Sequence, residues 1–368
     1  MNCFKRFFSF EDDFRDPFSR DRDRVIHSSS FRRLEYKTQV FINHEGDYFR
    51  TRLTHSLEVS QIARTLSREL SLNETLSEVI ALSHDLGHTP FGHTGGDELD
   101  RLLKEDGFNN GFEHNFQSFR ILTKLEKRYK NFDGLNLTYA TLEGVLKHSY
   151  PYKKSFLPKE VVDNFNLDYH PSFEAIVVDF ADAIAYVSAD IDDGIKYNLI
   201  NFNDLKEQSL IKLATNMVKK EKIEPFEELF RHRLVAAIIK ILVEDFIKNS
   251  KSFILEHKSD TPLCSYFKAN TPLLIGYSKE IATALKELKA TLYKKLYRHS
   301  SIVKNMFAGK ECVKSLYKAF MSEPDLLPKG TKKLLEKRAK HRVVADYIAS
   351  MTDRFALKSY HEIYGIKV

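Results

Sequence analysis

Cysteine is scarce: Cys3, Cys264 and Cys312 are the only three in 368 residues, odd in number, far apart and in no CxxC pair. That pattern excludes a disulfide framework and a thiolate zinc site, and it implies a reducing, cytoplasmic setting. Glycine and proline are also few, at 14 and 10. No segment reads as a flexible linker, a low-complexity tract or an internal repeat. No run approaches the ~18 apolar residues of a membrane span. The opening MNCFKRFFSFEDDF turns acidic too soon for a signal peptide. The expectation is an intracellular protein with no membrane partner.

What is present is helical patterning. Apolar residues make up 42% of the chain, and their spacing follows the helical period far more than the alternating one, so the fold class is all-α. The length fits one large domain, or a core with an appendage. Basic residues outnumber acidic ones by 57 to 51, a formal charge of +6 spread along the chain. Ordinary solubilising charge explains that balance, and it also admits an anionic ligand.

Residues 15–36 are dense in Arg and Asp, and Asn43 to Asp47 looks like a turn between short extended segments. A helix with Thr54 as N-cap then carries Val59, Ile62, Ala63, Leu66 and Leu70 on one face, with His55 joining it. The next begins near Asn73 or Thr75, where TLSE has a capping-box pattern, and His84 follows Ile80 by four on the inward side. Gly87 and Pro90 end it, leaving His84 and Asp85 in its last turn above the Gly-rich loop GHTPFGHTGG, which bears His88 and His93. Further helix is expected over 97–130, interrupted by DGFNNGFEHN, and over 138–149. A loop covers 151–170, amphipathic helices fill 203–300, and DYIASMTDRFA reads as one more helix.

The segment from Glu174 to Asp193 is apolar nearly all round, except for Asp179, Asp182, Tyr186, Asp190 and Asp193, spaced three, four, four and three apart. That spacing is one helical face. A buried carboxylate row is costly unless it meets a metal, cationic side chains or a wet pocket. His55, His84, Asp85 and Asp182 thus stand on inward faces or helix-ending turns of three helices. Two imidazoles and two carboxylates form a mixed N/O set suited to Mn, Mg, Fe, Co, Ni or Zn. Core packing would account for any one of these residues, but not for their conjunction.

The ordered series RDRDRVIHSSSFRRLEYKTQVF, RTRLTHSLEV, HDLGHTPFGH, GFEHNFQS, ADAIAYVSADIDD and DYIASMTDRFA resembles the dNTP triphosphohydrolases of the HD superfamily, the bacterial dGTPase-like group. The match is dense over roughly 15–200, with an island at 341–356. The resemblance implies a helical HD-domain core over 1–200 and a helical C-terminal extension over 201–368 packed on it. It also implies hydrolysis of a deoxynucleoside triphosphate to deoxynucleoside and tripolyphosphate. His55, His84, Asp85 and Asp182 become ligands of a divalent metal, Mn or Mg first. Arg52 and His88 hold phosphate, and His93 and His114 transfer protons. Tyr186 sits beside the phosphates and sugar, Asp190 at the sugar 3′-hydroxyl, and Gln39 near the sugar.

The chain departs from the family at Gly96, where an acidic residue usually follows the His93 equivalent by three, so Asp97 is the candidate to orient His93. Lys147, with His148, is a candidate for the pocket rim. The basic run at 329–342 could meet triphosphate, an allosteric nucleotide or single-stranded DNA, although a solvated helix face explains it more simply. Family members are commonly homo-oligomers. The competing functions are an HD-cage nucleotide sensor or nucleic-acid-binding protein with little turnover, and another HD phosphohydrolase such as a nucleotidase or nuclease.

Overall fold

The computed structural model describes residues 3–9, 14–39, 50–149, 159–225, 227–258 and 267–365. Among these the chain is all-α, with isolated bridges such as Thr38–Thr51 but no strand. That bridge is the short extended pairing expected before the first metal-site helix, while the turn at Asn43 to Asp47 lies outside the described residues. Among the described residues no helix is long and apolar enough to cross a membrane. Cys3 and Cys312 are buried, and they do not pair with each other.

Helix α1 (Pro17–Ile26) starts where the Asp16 carboxylate accepts from the amides of Phe18 and Ser19, with Pro17 pre-set for the first turn. The Arg/Asp density of this region has a structural use. Buried Asp21 pairs with Arg6 and accepts from the Thr138 amide at 2.8 Å and the Thr141 hydroxyl at 2.9 Å. Helix α2 (Arg52–Glu69) begins three residues earlier than expected, because Thr51 is the N-cap and Thr54 completes a capping box from inside the first turn. Asn73 caps α3 (Glu74–Ser83) by accepting from the Leu76 amide. The TLSE box does not form, since Glu78 pairs with Arg22 at 3.2 Å.

After α3 the chain tightens into a 3₁₀ turn, His84–Gly87, and the loop expected beyond it is cut short by α4 (Gly92–Glu105). Phe91 and Gly92 adopt left-handed φ values of 62° and 61° to make that corner. Gly87 has no room for a side chain: a Cβ there would collide with the backbone of His114 and Ser118 on α5 (His114–Arg120). Next come α6 (Tyr139–Leu146), capped by Thr138, and α7 (Phe173–Lys196), capped by Ser172. The loop expected over 151–170 contains a short helix, Lys159–Phe165, and residues 150–158 lie outside the described set. The amphipathic region supplies α8 (Ser209–Lys220), α9 (Glu228–His257) and α10 (Lys279–Leu292), followed by α11 (Ser300–Ser322). DYIASMTDRFA is two helices, not one. Here α12 (Lys340–Ala349) stops, Thr352 caps a new start, and α13 (Asp353–Tyr364) follows.

Two apolar clusters result. The first joins α1, α2, α3 and α7 with residues from 201–302 such as Leu205, Phe230, Leu234 and Leu288. In the second, Leu99, Leu102 and Leu103 of α4 meet Val313, Leu316 and Phe320 of α11, Val344 and Ile348 of α12, and Ala356 of α13. His93 therefore rides on the second cluster, while His55, His84 and Asp182 stand on helices of the first. Two buried carboxylates fasten the halves. Asp353 accepts from the Thr38 and Phe91 amides, each at 3.0 Å. Asp346 accepts from Gln117 at 3.1 Å and pairs with Arg120.

Gly87→Ala should cost about 2 kcal/mol or more, because backbone must move to admit one methyl. Denaturant unfolding measures this, and a variant as stable as the parent would refute the close approach.

Candidate metal centre and surrounding pocket

Helix α2 presents His55 to α7, where its Nε2 lies 2.8 Å from Asp182 Oδ1. His84 closes α3, with its Nδ1 2.7 Å from the Ala81 carbonyl. A carbonyl can only accept, so Nδ1 carries the proton and Nε2 offers its lone pair. That Nε2 is buried without a hydrogen-bond partner, 3.3 Å from Asp85 Oδ1 and 3.9 Å from Asp182 Oδ1. The ligand atoms of His55, His84 and Asp182 lie within 4.8 Å of one another. A lone pair in that position, facing two carboxylates and a second imidazole, fits a divalent ion.

Asp85 sits in the 3₁₀ turn and serves several partners. Its Oδ2 accepts from Arg52 at 2.7 Å, and its Oδ1 is 3.1 Å from His88 Nε2. Burial alone would raise this carboxyl, but attraction to the surrounding His84, Arg52 and His88 holds it well below the usual carboxylate range. Burial likewise opposes the charge on Asp182, but the attraction of nearby His148 and the hydrogen bond from His55 win and hold it well below the usual carboxylate range. Enclosed by protein though it is, the Asp182 side chain keeps 28% of its surface, so the centre is closed behind and open on one side. Desolvation works against a proton on His55, yet the hydrogen bond and charge of Asp182 raise its pKa above 6.5. Burial lowers that of His84.

Next to this centre, His88, His93 and His114 form a second imidazole group. The His88 and His114 rings stack at 4.1 Å, and His93 stands edge-on to them at 4.9 and 5.6 Å. They line a cavity of about 180 Å³ shared with Gly96, Asp97 and Glu113. His93 stands on the first turn of α4, not in a loop. The crowding of the three rings and of Arg52 around this cavity desolvates them and lowers the pKa of all three, His114 to about 3, even though His93 keeps an exposed edge. Arg52 reaches between the two groups. Its Nε and second terminal nitrogen are buried without hydrogen-bond partners among the described residues, and Gly92 leaves room beside it. Gln39 Oε1 is buried and unpartnered too.

The expectation that Asp97 orients His93 needs correction. Asp97 is exposed and makes no hydrogen bond to His93; only its charge faces the ring across the cavity. The carboxylate in contact is Glu113, whose Oε1 lies 3.2 Å from His114 Nδ1 while its oxygens also cap α5. Glu113 was legible as the residue before His114 in GFEHN. Lys147 also needs correction as a substrate contact. It is fully buried, its ammonium donating to Glu143 at 2.6 Å and to the carbonyls of Asn166 and Tyr169. Its neighbour His148 turns inward instead, 4.8 Å ring to ring from His84 and 3.6 Å from Asp182 Oδ2. His148 Nδ1 is 2.5 Å from Asp179 Oδ1, but the N–H is not aligned, so the attraction is one of charge more than hydrogen bonding. These carboxylates outweigh burial and raise the His148 pKa well above 6.5.

Further along α7, Asp190 is buried and accepts from the Tyr297 hydroxyl, which also lies across from the Tyr186 ring. Burial pushes the Asp190 pKa up to about 7. Nothing in the sequence around Tyr297 distinguished it from core packing. Arg50 neutralises the end of the acidic stripe, 2.6 Å from Asp193 and 2.9 Å from Asp192.

Comparison with known proteins agrees with this geometry. Residues 52–187 match the HD domain, and residues 275–362 match the phosphohydrolase-associated domain. A deoxyguanosinetriphosphate triphosphohydrolase-like protein of Wolinella succinogenes is 58% identical over 99% of this chain and all of its own length. The chain belongs to the HD-superfamily, dGTPase-like family. Relatives of the same description from Nitrosomonas europaea and Geobacter metallireducens are 44% and 43% identical over 96% of this chain, covering 92% and 89% of their own lengths. Members carry an HD phosphohydrolase domain, and this one has the His/Asp cluster to hold a divalent metal.

Metal binding should release protons, since His55 and His148 hold theirs above pH 6.5 in the metal-free protein and His55 must be neutral to ligate. Affinity for Mn should therefore keep rising as the pH climbs above the ordinary imidazole value of 6.5. Calorimetry in two buffers of different ionisation enthalpy checks this. Equal heats in both would contradict the charged His55.

Proposed function

We propose that the chain hydrolyses deoxynucleoside triphosphates to deoxynucleoside and tripolyphosphate, using Mn or Mg at His55, His84, Asp85 and Asp182. The observation that carries the reading is the pair of unpartnered buried Arg52 nitrogens, set between a metal cage and three neutral imidazoles. A phosphate is the ligand whose chemistry satisfies all of them at once.

When bound, the metal supplies Lewis acidity that neutralises charge on the α-phosphate. Arg52, held by Asp85, donates to a phosphate oxygen through its free nitrogens and adds to that neutralisation. His88 lines the phosphates. His93 and His114 are neutral before substrate arrives, and the triphosphate charge raises their proton affinity, so one of them can protonate the departing 5′-oxygen. Glu113 orients His114 as a positioning residue. Gln39 and Tyr186 lie where the sugar and phosphates would be held, and Asp190, shared with Tyr297, accepts from the sugar 3′-hydroxyl. The setting is the cytoplasm.

Incubation with each dNTP, singly and mixed, with Mn or Mg, should yield deoxynucleoside and tripolyphosphate. His93→Ala should lower kcat by about 10²–10⁴-fold while metal content stays unchanged. Release of orthophosphate or pyrophosphate would point to another HD phosphohydrolase. Binding without turnover would make the chain a sensor, and loss of oligonucleotide would make it a nuclease.

A further inference from the structure

The motif DYIASMTDRFA stands outside the HD domain, in the phosphohydrolase-associated domain, and no step of the proposed chemistry uses it. It nevertheless reaches the pocket wall at two points. Lys37, almost completely buried, donates from Nζ to the Ala349 carbonyl at 2.9 Å and to the His88 carbonyl. Asp353, also buried, accepts from the Phe91 amide on one oxygen and from the Thr38 amide on the other. Two opposite charges thus join three chain segments, 37–39, 88–93 and 349–353.

The first two segments carry residues of the pocket. Residues 37–39 end on Gln39, whose Oε1 is buried without a hydrogen-bond partner among the described residues. The Lys37 carbonyl accepts from the Arg52 amide at 3.2 Å, and Thr38 bridges to Thr51, so the same segment also fixes the start of α2. Residues 88–93 run from His88 to His93 through a corner where Phe91 holds a left-handed φ of 62°. A bulky residue adopts that conformation only where its surroundings impose it. The Asp353 carboxylate on the Phe91 amide is one such constraint. Gly309 of α11 is another, packed so close that a Cβ there would stand 2.7 Å from the Phe91 side chain. The two segments also touch each other: a Cβ on Gly92 would lie 3.2 Å from an Arg52 terminal nitrogen and 3.6 Å from the Gln39 carbonyl oxygen. A shift of either segment therefore moves Gln39, Arg52 and His93 relative to one another.

We propose that Lys37 and Asp353 are positioning residues, through which the phosphohydrolase-associated domain holds Gln39 and the His88–His93 corner in register for one substrate without touching it. Their role rests on dNTP hydrolysis as proposed above, with Gln39 at the sugar and His93 among the proton donors. A carboxylate with an amide on each oxygen cannot follow one segment without leaving the other amide unpaired, which is costly in a buried setting. Asparagine has nearly the same shape but a single acceptor oxygen, so Asp353→Asn must release one of the two segments.

Steady-state kinetics of the full chain with Mg and a dNTP tests this, with thermal unfolding and metal content as controls. Asp353→Asn should lower kcat by about 10–10²-fold, the loss that a displacement of about 1 Å brings, while metal content stays as in the parent. His93→Ala separates positioning from general stability. In that background Asp353→Asn should cost less than about threefold in kcat, because its effect through His93 is already lost, whereas independent effects multiply. Should Asp353→Asn fail to fold, Lys37→Gln, which keeps an amide donor in place of the ammonium, carries the same cycle with the same expected losses. Histidine ring NMR of the Mg-loaded chain gives a readout without turnover: the His93 and His114 resonances should shift in the variant, with those of His55 and His84 in place. A parent without dNTP turnover refutes the activity, and the histidine shifts then decide the clamp. Parental kcat in Asp353→Asn, losses that multiply with those of His93→Ala, or unmoved His93 resonances would overturn the positioning role.

Discussion

Arg52 and Asp85 are both almost completely buried, and taking either charge out of water costs several kcal/mol that only close partners offset. Their 2.7 Å contact ties the first turn of α2 to the turn after α3. It also sets what else can stand nearby. Asp85, already engaged on one oxygen, keeps its other oxygen toward His84 and His88. Arg52, held at one end, is left with two nitrogens that find no protein partner. Desolvation, and then the charge of this cation, lower the pKa of His88 and His93, whereas Asp179 and Asp182 of α7 raise those of His148 and His55. The groups that favour and disfavour a proton thus stand a few ångströms apart.

The pocket is built where two apolar clusters meet, and neither supplies it alone. Helices α2, α3 and α7 bring the cage, while α4 brings His93 on a helix whose apolar face belongs to the other cluster. The seam is fastened by carboxylates and not by apolar contact alone. Asp353 satisfies two loop amides that have no helix or strand to bond with, and buried amides without partners are costly.

Much of the centre was legible in the sequence because helical spacing is local. His55 on the α2 face, His84 after Ile80 and the stripe on α7 need only the period of one helix. His55, His84 and Asp182 lie close enough to hold one ion, and Asp85, given by the HD pair and the resemblance more than by spacing, stands beside His84. What was not legible depends on pairing across the fold. Lys147 and His148 are adjacent, and which one turns inward is decided by Glu143 and the carbonyls near residue 169, far from any local signal. Asp97 was chosen by nearness to Gly96, yet among the described residues it makes no hydrogen bond to His93, because its side chain points to solvent. Tyr297 lay in a region whose pattern speaks only of packing. The break between α12 and α13 was hidden because Asp353 looked like one more polar residue on a helix, when its carboxylate is spent on the distant loop.

Asp353 also sets an order of assembly. Ribosomes deliver the N-terminal part of a chain first, and domains tend to fold as they emerge. The HD pair, its loop and all of α7 are made long before α13, but the amides of Thr38 and Phe91 cannot be capped until Asp353 leaves the tunnel. A nascent chain would thus hold the His/Asp cluster that could bind a metal well before it could fix the corner from which His93 projects. Maturation of the pocket is in that sense a terminal event of synthesis.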